Sequence, residues 1–201
     1  LLLLVRGDLW RIDPVDLTAA PEQITEGGTI SAPVLSPDGA WIAYKAAAQV
    51  GIDALDRLET EGLIADFDLP SDLFVLNTVT GESRPLVGQP ESPSLFVEGV
   101  PDRAVSRSAP VWSPDGESLA WTQIDFGSSQ AALFILNRET MNGISVPIMM
   151  EVFGIPPAVI WQGETITVWL TLPTGVTHVE QFTAAGIPTA LTMIPQESIG
   201  G

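Results

Sequence analysis

The sequence predicts an all-β protein assembled from repeated antiparallel sheets, and three observations support this prediction. A fourteen-residue phrase occurs twice, at residues 31–44 and 108–121, with nine identical positions. A second phrase, rich in aromatic and branched side chains, follows each copy and also precedes the first one. The spacing from the second phrase to the next copy of the first is 24 residues at two places in the chain. Such repetition indicates that one structural unit is used several times.

Each copy of the fourteen-residue phrase reads as a strand, a tight turn and a second strand. The copies begin Ser31-Ala-Pro-Val-Leu and Ser108-Ala-Pro-Val-Trp, and both continue as Ser-Pro-Asp-Gly. Proline presets the turn backbone, glycine tolerates a positive φ, and aspartate can accept backbone N–H groups. We therefore assign a structural role in the turns to Ser36, Pro37, Asp38, Gly39, Ser113, Pro114, Asp115 and Gly116.

The second phrase supplies the next strand of each unit. It occurs as Asp8-Leu-Trp-Arg-Ile-Asp13, as Asp72-Leu-Phe-Val-Leu-Asn77 and as Ala132-Leu-Phe-Ile-Leu-Asn137. The constant spacing exposes a third, eroded copy of the first phrase at residues 157–169, which lacks the Ser-Pro-Asp-Gly turn. Because apolar and polar residues alternate in these strands, we expect one set to lie inside or between sheets. That set is Ile42, Tyr44, Phe74, Leu76, Trp112, Trp121, Phe134 and Leu136.

An assembled unit has four short antiparallel strands, and this arrangement predicts a β-propeller. The predicted units are 1–26, which lacks its first strand, 32–87, 109–149 and 157–194. Four strands in every ~40–50 residues are typical of a propeller blade. We expect residues 1–201 to form one domain, about three full blades plus a partial one, within a longer propeller. A compact four-bladed ring and a β-sandwich with accidental repetition are the alternatives.

The Ser-Pro-Asp-Gly turn, followed by an aromatic residue, resembles the turn of the PD40 repeat, a TolB-like member of the WD40-like repeats. The same repeat is found in the propellers of prolyl-oligopeptidase-type peptidases, and the resemblance covers most of the chain. It implies a propeller fold. Through TolB-like proteins it also implies an extracytoplasmic setting, either periplasmic or at the cell surface.

Composition excludes several classes of function. The chain has a net charge of −17 with eight Lys and Arg residues, so it repels phosphate backbones and we expect no nucleic-acid partner. No stretch of about 18 apolar residues occurs, so we expect no membrane span. The chain has no cysteine and therefore no disulfide, and one histidine does not supply the ligand set of a zinc site, so we expect no cofactor.

Two insertions depart from the repeat unit, within residues 47–70 and 88–106. In the first, Asp53–Gly62 reads as a short helix with Asp53 as its N-cap and Gly62 at its end. The second contains three prolines, which favour an ordered surface loop. Insertions between propeller strands fall on the rims, where partners usually bind.

The linker before the eroded copy is apolar where the equivalent linker of the first unit is polar. Met-rich and aromatic surfaces are favoured where polypeptides meet. We therefore predict contact with another protein subunit, whereas the alternative is that the linker packs against its own protein. The predicted contact residues are Met149, Met150, Val152, Phe153 and Ile155.

Catalytic and metal-binding motifs are sparse. The chain has no Gly-x-Ser-x-Gly motif, and His178 is the only candidate base, so we expect no enzyme activity. The one metal candidate is the acidic segment with Asp66, Asp68 and Asp72, which could bind calcium or could be a solvated loop.

Three functions remain open at this point. The first is a non-enzymatic interaction or scaffold propeller, a subunit of a larger assembly. The second is the substrate-gating propeller of a peptidase whose catalytic domain lies outside this chain. The third is a propeller that binds a glycan or small ligand, for which the six tryptophans are the candidate platform, although core packing also explains them.

Overall fold

The computed structural model describes residues 1–13, 15–16, 18–63, 67–149 and 154–195. Within these residues the chain forms four antiparallel sheets and one α-helix. The predicted all-β class is therefore confirmed. Among the same residues, no helix has the length and apolar character that crossing a bilayer requires.

The four sheets follow one another along the chain. The first has the order β1 (Leu2–Val5), β2 (Asp8–Arg11), β3 (Glu22–Gln23). The second has the order β4 (Ile30–Leu35), β5 (Trp41–Ala47), β6 (Ser71–Asn77), β7 (Ser83–Val87), and helix α1 (Gln49–Thr60) connects β5 to β6. The third contains β8 (Val105–Arg107), β9 (Val111–Trp112), β10 (Ser118–Asp125), β11 (Gln130–Asn137) and β12 (Gly143–Pro147), and both β8 and β9 pair with β10. The fourth has the order β13 (Ala158–Gln162), β14 (Thr165–Thr171), β15 (Thr177–Thr183), β16 (Pro188–Ile194).

The two Ser-Pro-Asp-Gly turns have the same hydrogen bonds. The Ser36 hydroxyl donates to the Asp38 carboxylate at 2.6 Å and accepts from the Trp41 backbone N–H at 2.9 Å. Ser113 repeats both contacts, with Asp115 at 2.5 Å and the Ser118 N–H at 2.9 Å. The closing glycines have φ values of +72° and +74°, a region in which side chains are strained. The two turns are thus equivalent in geometry.

Equivalent aromatic pairs follow the turns. Tyr44 on β5 lies opposite Phe74 on β6, and Trp121 on β10 lies opposite Phe134 on β11. The rings of each pair are stacked, with centroids 5.4 Å and 5.5 Å apart. The repeat therefore extends beyond the turn to the packing of adjacent strands.

Consecutive sheets pack against each other through three apolar clusters. The first cluster joins Leu9 to Ile42 and Leu76 across the first and second sheets. The next joins Leu73 and Val75 of the second sheet to Trp112, Leu119 and Trp121 of the third. The last joins the third sheet to the fourth through residues that include Ile124, Leu133, Ile166, Val168 and Phe182. The expected core positions are buried for Ile42, Tyr44, Leu76, Trp112 and Trp121 and half-buried for Phe74, Phe134 and Leu136.

A buried arginine also joins the second and third sheets. The Arg107 side chain on β8 is 2% exposed and donates to the carbonyl oxygens of Ser71 and Gly88 and to the Gln123 side chain. Burial lowers the pKa of Arg107 to about 10, and the carboxylate of Asp72 at 3.8 Å opposes that shift. Because three acceptors surround the guanidinium, its charge is satisfied inside the protein.

The N-cap of helix α1 lies five residues before the predicted N-cap. Its N-cap is Ala48, without a side-chain cap, so the predicted N-cap role of Asp53 is wrong. Asp53 instead accepts a 2.7 Å hydrogen bond from Gln49. The first turn lies directly against Pro70, and a Cβ at Gly51 would come within 2.9 Å of that ring. The predicted end is confirmed, because Gly62 follows the helix with φ +71°.

Candidate interaction face built from the two insertions

The two insertions pack against each other on one side of the second and third sheets. Ala54 of α1, Leu95 and Ala104 form a small, fully buried cluster. Val50, Phe67 and Phe126 pack around this cluster and are partly buried. We call the surface formed by residues 49–63, residues 91–104, Phe67 and Phe126 the insertion face.

Hydrogen bonds close the loop of residues 94–104 on itself. The Ser94 hydroxyl donates to the Pro101 carbonyl oxygen at 2.7 Å, and the Ser94 carbonyl oxygen accepts from the Arg103 and Ala104 N–H groups. Arg57 on α1 donates to the Leu95 carbonyl oxygen at 2.6 Å. The loop is therefore ordered by its own contacts and by the helix.

Phe96 occupies an unusual conformation at the tip of this loop. Its φ is +53°, a region that bulky residues rarely adopt. The Asp102 carboxylate holds that conformation by accepting the Phe96 N–H at 2.7 Å. The Phe96 ring makes edge contacts with Phe67 and Phe126, with centroids 5.2 Å and 6.4 Å apart, yet the residue remains 47% exposed.

Exposed apolar and acidic side chains share the insertion face. Besides Phe96, Val97 and Val100 are exposed by 41% and 46%. Residues 49–63 and 91–104 together carry seven Asp and Glu residues and two Arg residues. The exposed carboxylates belong to Asp53, Asp56, Glu59, Glu61, Glu91 and Glu98. The segments that carry the exposed apolar side chains thus also carry an excess of exposed carboxylates.

Gly154, at the end of the predicted contact linker, lies beside the insertion face. The backbone N–H of Asp68, next to Phe67, donates to the Gly154 carbonyl oxygen at 3.1 Å. Met149 is 80% exposed, and its backbone N–H donates to the buried Glu180 carboxylate at 2.7 Å. Ile155 is also exposed. Met150, Val152 and Phe153 lie outside the described residues, so contact through this linker stays a prediction.

The acidic segment considered for calcium is partly engaged by cations. Lys45 donates to Asp68 at 2.6 Å, and its second acceptor is the Arg107 carbonyl oxygen at 2.9 Å. Asp72 lies beside Arg107 and accepts from Gln89 at 3.3 Å. Among the described residues, no group of three or more potential protein ligands could hold a metal ion. Asp66 lies outside them, so the calcium hypothesis is not tested.

The only histidine lies on β15, at the partner position of Leu170 on β14 and Met193 on β16. Glu180, two residues further along the same strand, is buried and accepts a hydrogen bond from the Met149 backbone N–H. Two of the six tryptophans stack on other side chains: Trp121 stacks on Phe134, and the Arg138 guanidinium lies 4.6 Å from the centre of the Trp41 ring. These contacts account for the two rings without a ligand.

Sequence reasoning missed the exposed tip of the insertion face. It assigned residues 88–106 to a surface loop without singling out any side chain. One signal was present, because Leu95-Phe-Val97 is an apolar run inside an otherwise polar, proline-bounded segment. Which of these three side chains is buried and which is exposed cannot be read from the run itself, because the segment has no strand or helix periodicity.

Comparisons with known proteins support the fold. The β-propeller domain of the Trilobed protease from Pyrococcus furiosus is similar over 84% of this chain and 43% of its own, with 12% identity and a TM-score of 0.54. An oligogalacturonate lyase in complex with manganese is similar over 90% of this chain and 41% of its own, with 15% identity and a TM-score of 0.55. Hydrazine synthase from Kuenenia stuttgartiensis is similar over 96% of this chain and 44% of its own, with 15% identity and a TM-score of 0.56.

These similarities decide the architecture. The chain is a partial β-propeller. It spans less than half the length of each of the three structures. No model of a protein family matches the sequence, and no curated protein matches it. The sheets described above are therefore propeller blades, and the insertion face lies on the second and third blades.

Proposed function

We propose that this chain is a non-enzymatic interaction propeller that binds another protein subunit through its insertion face. The observation that carries the proposal is Phe96, an exposed aromatic residue held at φ +53° by the Asp102 carboxylate. Strained backbone persists where the surroundings impose it, and it is concentrated at binding and functional sites. Aromatic side chains of this kind are frequent anchors of protein interfaces.

The order of the loop supports the same proposal. Contacts from Arg57, Ser94 and Asp102 fix residues 94–104 before any partner arrives. A surface that is ordered in advance loses less conformational entropy on binding. Val97 and Val100 extend the apolar surface around Phe96, and exposed apolar patches of this type mark interaction sites.

The finer part of the proposal concerns family and setting. The Ser-Pro-Asp-Gly turns resemble those of TolB-like PD40 repeats, and their identical hydrogen bonds at Ser36 and Ser113 are consistent with one repeat family. On that resemblance, we propose an extracytoplasmic subunit of a bacterial envelope assembly. Location of the tagged, full-length protein after cell fractionation tests this part separately.

A second candidate is the substrate-gating propeller of a peptidase. It is favoured by the similarity to the propeller domain of the Trilobed protease, although at 12% identity that similarity concerns the fold. Under this candidate, the insertion face would contact a hydrolase domain. A Gly-x-Ser-x-Gly motif in the full-length protein, together with peptide hydrolysis by that protein, would favour the peptidase.

Site-specific photo-crosslinking in the native cell tests the interaction proposal. A photoreactive residue at Val97 should form a discrete adduct with one protein, whereas the same residue at Val79 should not. Val79 is a matched control because it is apolar and 79% exposed, but lies in the turn after β6. Equal labelling at both positions, or no adduct at Val97, would contradict the proposed face.

A further inference from the structure

We infer that the insertion face binds a basic, amphipathic polypeptide segment, whose apolar side chains cover Phe96, Val97 and Val100 while its cations meet the surrounding carboxylates. This inference rests on the proposed function and names the chemistry of the partner. It is carried by two features that occur together, the apolar tip and the charge around it.

The first feature is an apolar anchor of limited size. Phe96 is backed by Phe67 and Phe126, so its ring cannot turn inward to leave solvent without displacing them. Leu95, the neighbour that does turn inward, is fully buried. The exposed part therefore suits a few apolar side chains from a partner rather than a broad apolar sheet.

The second feature is an excess of carboxylates on the same surface. Seven acids and two arginines leave a formal charge of −5 on residues 49–63 and 91–104. One of the two arginines, Arg57, already donates to the Leu95 carbonyl oxygen. Complementary charge steers a partner to its site and disfavours partners of like charge.

The same charge argues against other occupants of this face. A second copy of the chain would bring another net charge of −17 to a surface that is itself negative. Anionic lipid headgroups and nucleic-acid phosphates would be repelled for the same reason. A cationic polypeptide is the remaining macromolecule that gains from both the apolar and the electrostatic contact.

Three labelled synthetic peptides of equal length test the inference with the purified chain. The first is built from lysine and leucine in an amphipathic order, the second replaces lysine by glutamate, and the third replaces leucine by serine. Fluorescence anisotropy should show binding of the first, at least about tenfold weaker binding of the third, and no binding of the second. Equal affinity for the first and third peptides would overturn the inference, because apolar contact would then contribute nothing.

Variants locate the binding on the insertion face. Val97→Asp with Val100→Asp adds negative charge and removes apolar surface. If charge alone held the basic peptide, this variant would bind it more tightly. If the inferred apolar contact is made, the affinity should instead fall about tenfold. Val79→Asp is the matched control and should not weaken binding. If the circular dichroism spectrum shows that the aspartate variant is unfolded, Val97→Ser with Val100→Ser is tested in its place. Unchanged affinity of a folded tip variant would contradict the inference.

Charge reversal provides the second arm. Asp56→Lys with Glu59→Lys should reduce affinity more than Glu82→Lys with Glu117→Lys, two exposed carboxylates outside the insertion face. Equal losses would mean non-specific attraction to an acidic protein and would overturn the inference. Sedimentation with vesicles of phosphatidylcholine and phosphatidylglycerol should show no binding, and vesicle binding abolished by the tip variant would also overturn it.

The outcomes separate this inference from the proposed function. A crosslink at Val97 combined with no selective binding of the basic peptide would retain the interaction face and reject a basic partner. Absence of the crosslink would reject the proposed function itself. Selective peptide binding that depends on Val97 and on the α1 carboxylates supports the inference.

Discussion

Trp112 donates its indole N–H to the carbonyl oxygen of Val34, 3.0 Å away, and so joins β9 of the third blade to β4 of the second. Trp112 occupies the position that Leu35 has in the preceding copy of the repeat. Leu35 is exposed, whereas Trp112 is buried between the second and third blades. The change of one residue between copies therefore supplies a contact between blades that the repeat itself does not contain.

We expect Trp112→Phe to lower the free energy of unfolding by about 1–3 kcal/mol. The phenylalanine ring retains much of the apolar contact but leaves the Val34 carbonyl oxygen without its donor. Urea denaturation followed by circular dichroism measures the change. Leu35→Phe is the control at the equivalent exposed position and should change stability by less than about 0.5 kcal/mol.

The two core phenylalanines should differ in their contribution to stability. Phe182 is 1% exposed between the third and fourth blades, so Phe182→Ala should cost about 3–5 kcal/mol. Phe134 stacks on Trp121 but is only half-buried, so Phe134→Ala should cost less than that range. Equal urea midpoints for these two variants would contradict the burial argument.

Met141 lies at a position where glycine should be better. Its φ is +57°, and the equivalent residue after β6 is Gly81 with φ +73°. In both turns the N–H of this residue donates to the asparagine that ends the preceding strand, Asn137 or Asn77. Because a side chain is strained in this region, Met141→Gly should stabilise the protein by up to about 1 kcal/mol.

The reciprocal change checks the same turn. Gly81→Ala should lower the thermal midpoint, because it introduces the strain that Met141→Gly removes. A stability loss on Met141→Gly would show that contacts of the methionine side chain, including its sulfur 3.8 Å from the Arg84 guanidinium, outweigh the backbone strain.

Stability should fall in acid partly because of the two repeated turns. The Ser36 hydroxyl, followed by the Ala40 N–H, lowers the pKa of Asp38, and the Ser113 hydroxyl and Glu117 N–H lower that of Asp115. A carboxylate whose pKa is lower in the folded than in the unfolded protein contributes its full stabilisation when the pH is above its pKa in the unfolded chain, 3.8 for aspartate. That contribution is lost as the pH falls through the folded-state pKa.

The variant Asp38→Asn with Asp115→Asn tests this assignment. It should be less stable than the parent at about pH 6 and should lose less stability between about pH 6 and pH 3, as measured by urea unfolding. Glu82→Gln, which removes an exposed carboxylate outside these turns, should follow the parent. Parallel pH profiles for the parent and the double variant would contradict the role of the turns.

The turns and the pattern of buried strand residues could be predicted from the sequence. The hydrogen bonds of Ser36 and Ser113 span at most five residues, so local chemistry determines them. The alternation of apolar residues in β5, β6, β10 and β11 identifies which face of each strand is buried. Repetition of both signals then determines the architecture, because identical units bury their faces by packing on one another.

The remaining features depend on residues that are far apart in the sequence. Arg107 is buried because it meets carbonyl oxygens 36 and 19 residues away, and no local pattern distinguishes it from an exposed strand arginine. Phe96 becomes a strained, half-exposed residue only because Phe67, Phe126 and Asp102 meet at the same place. The sequence by itself determined the repeat, its turns and the class of fold. Only the tertiary structure decided where the two insertions meet. Helix α1 and the loop of residues 94–104 are far apart in the sequence, and the local pattern of neither segment specifies contact with the other.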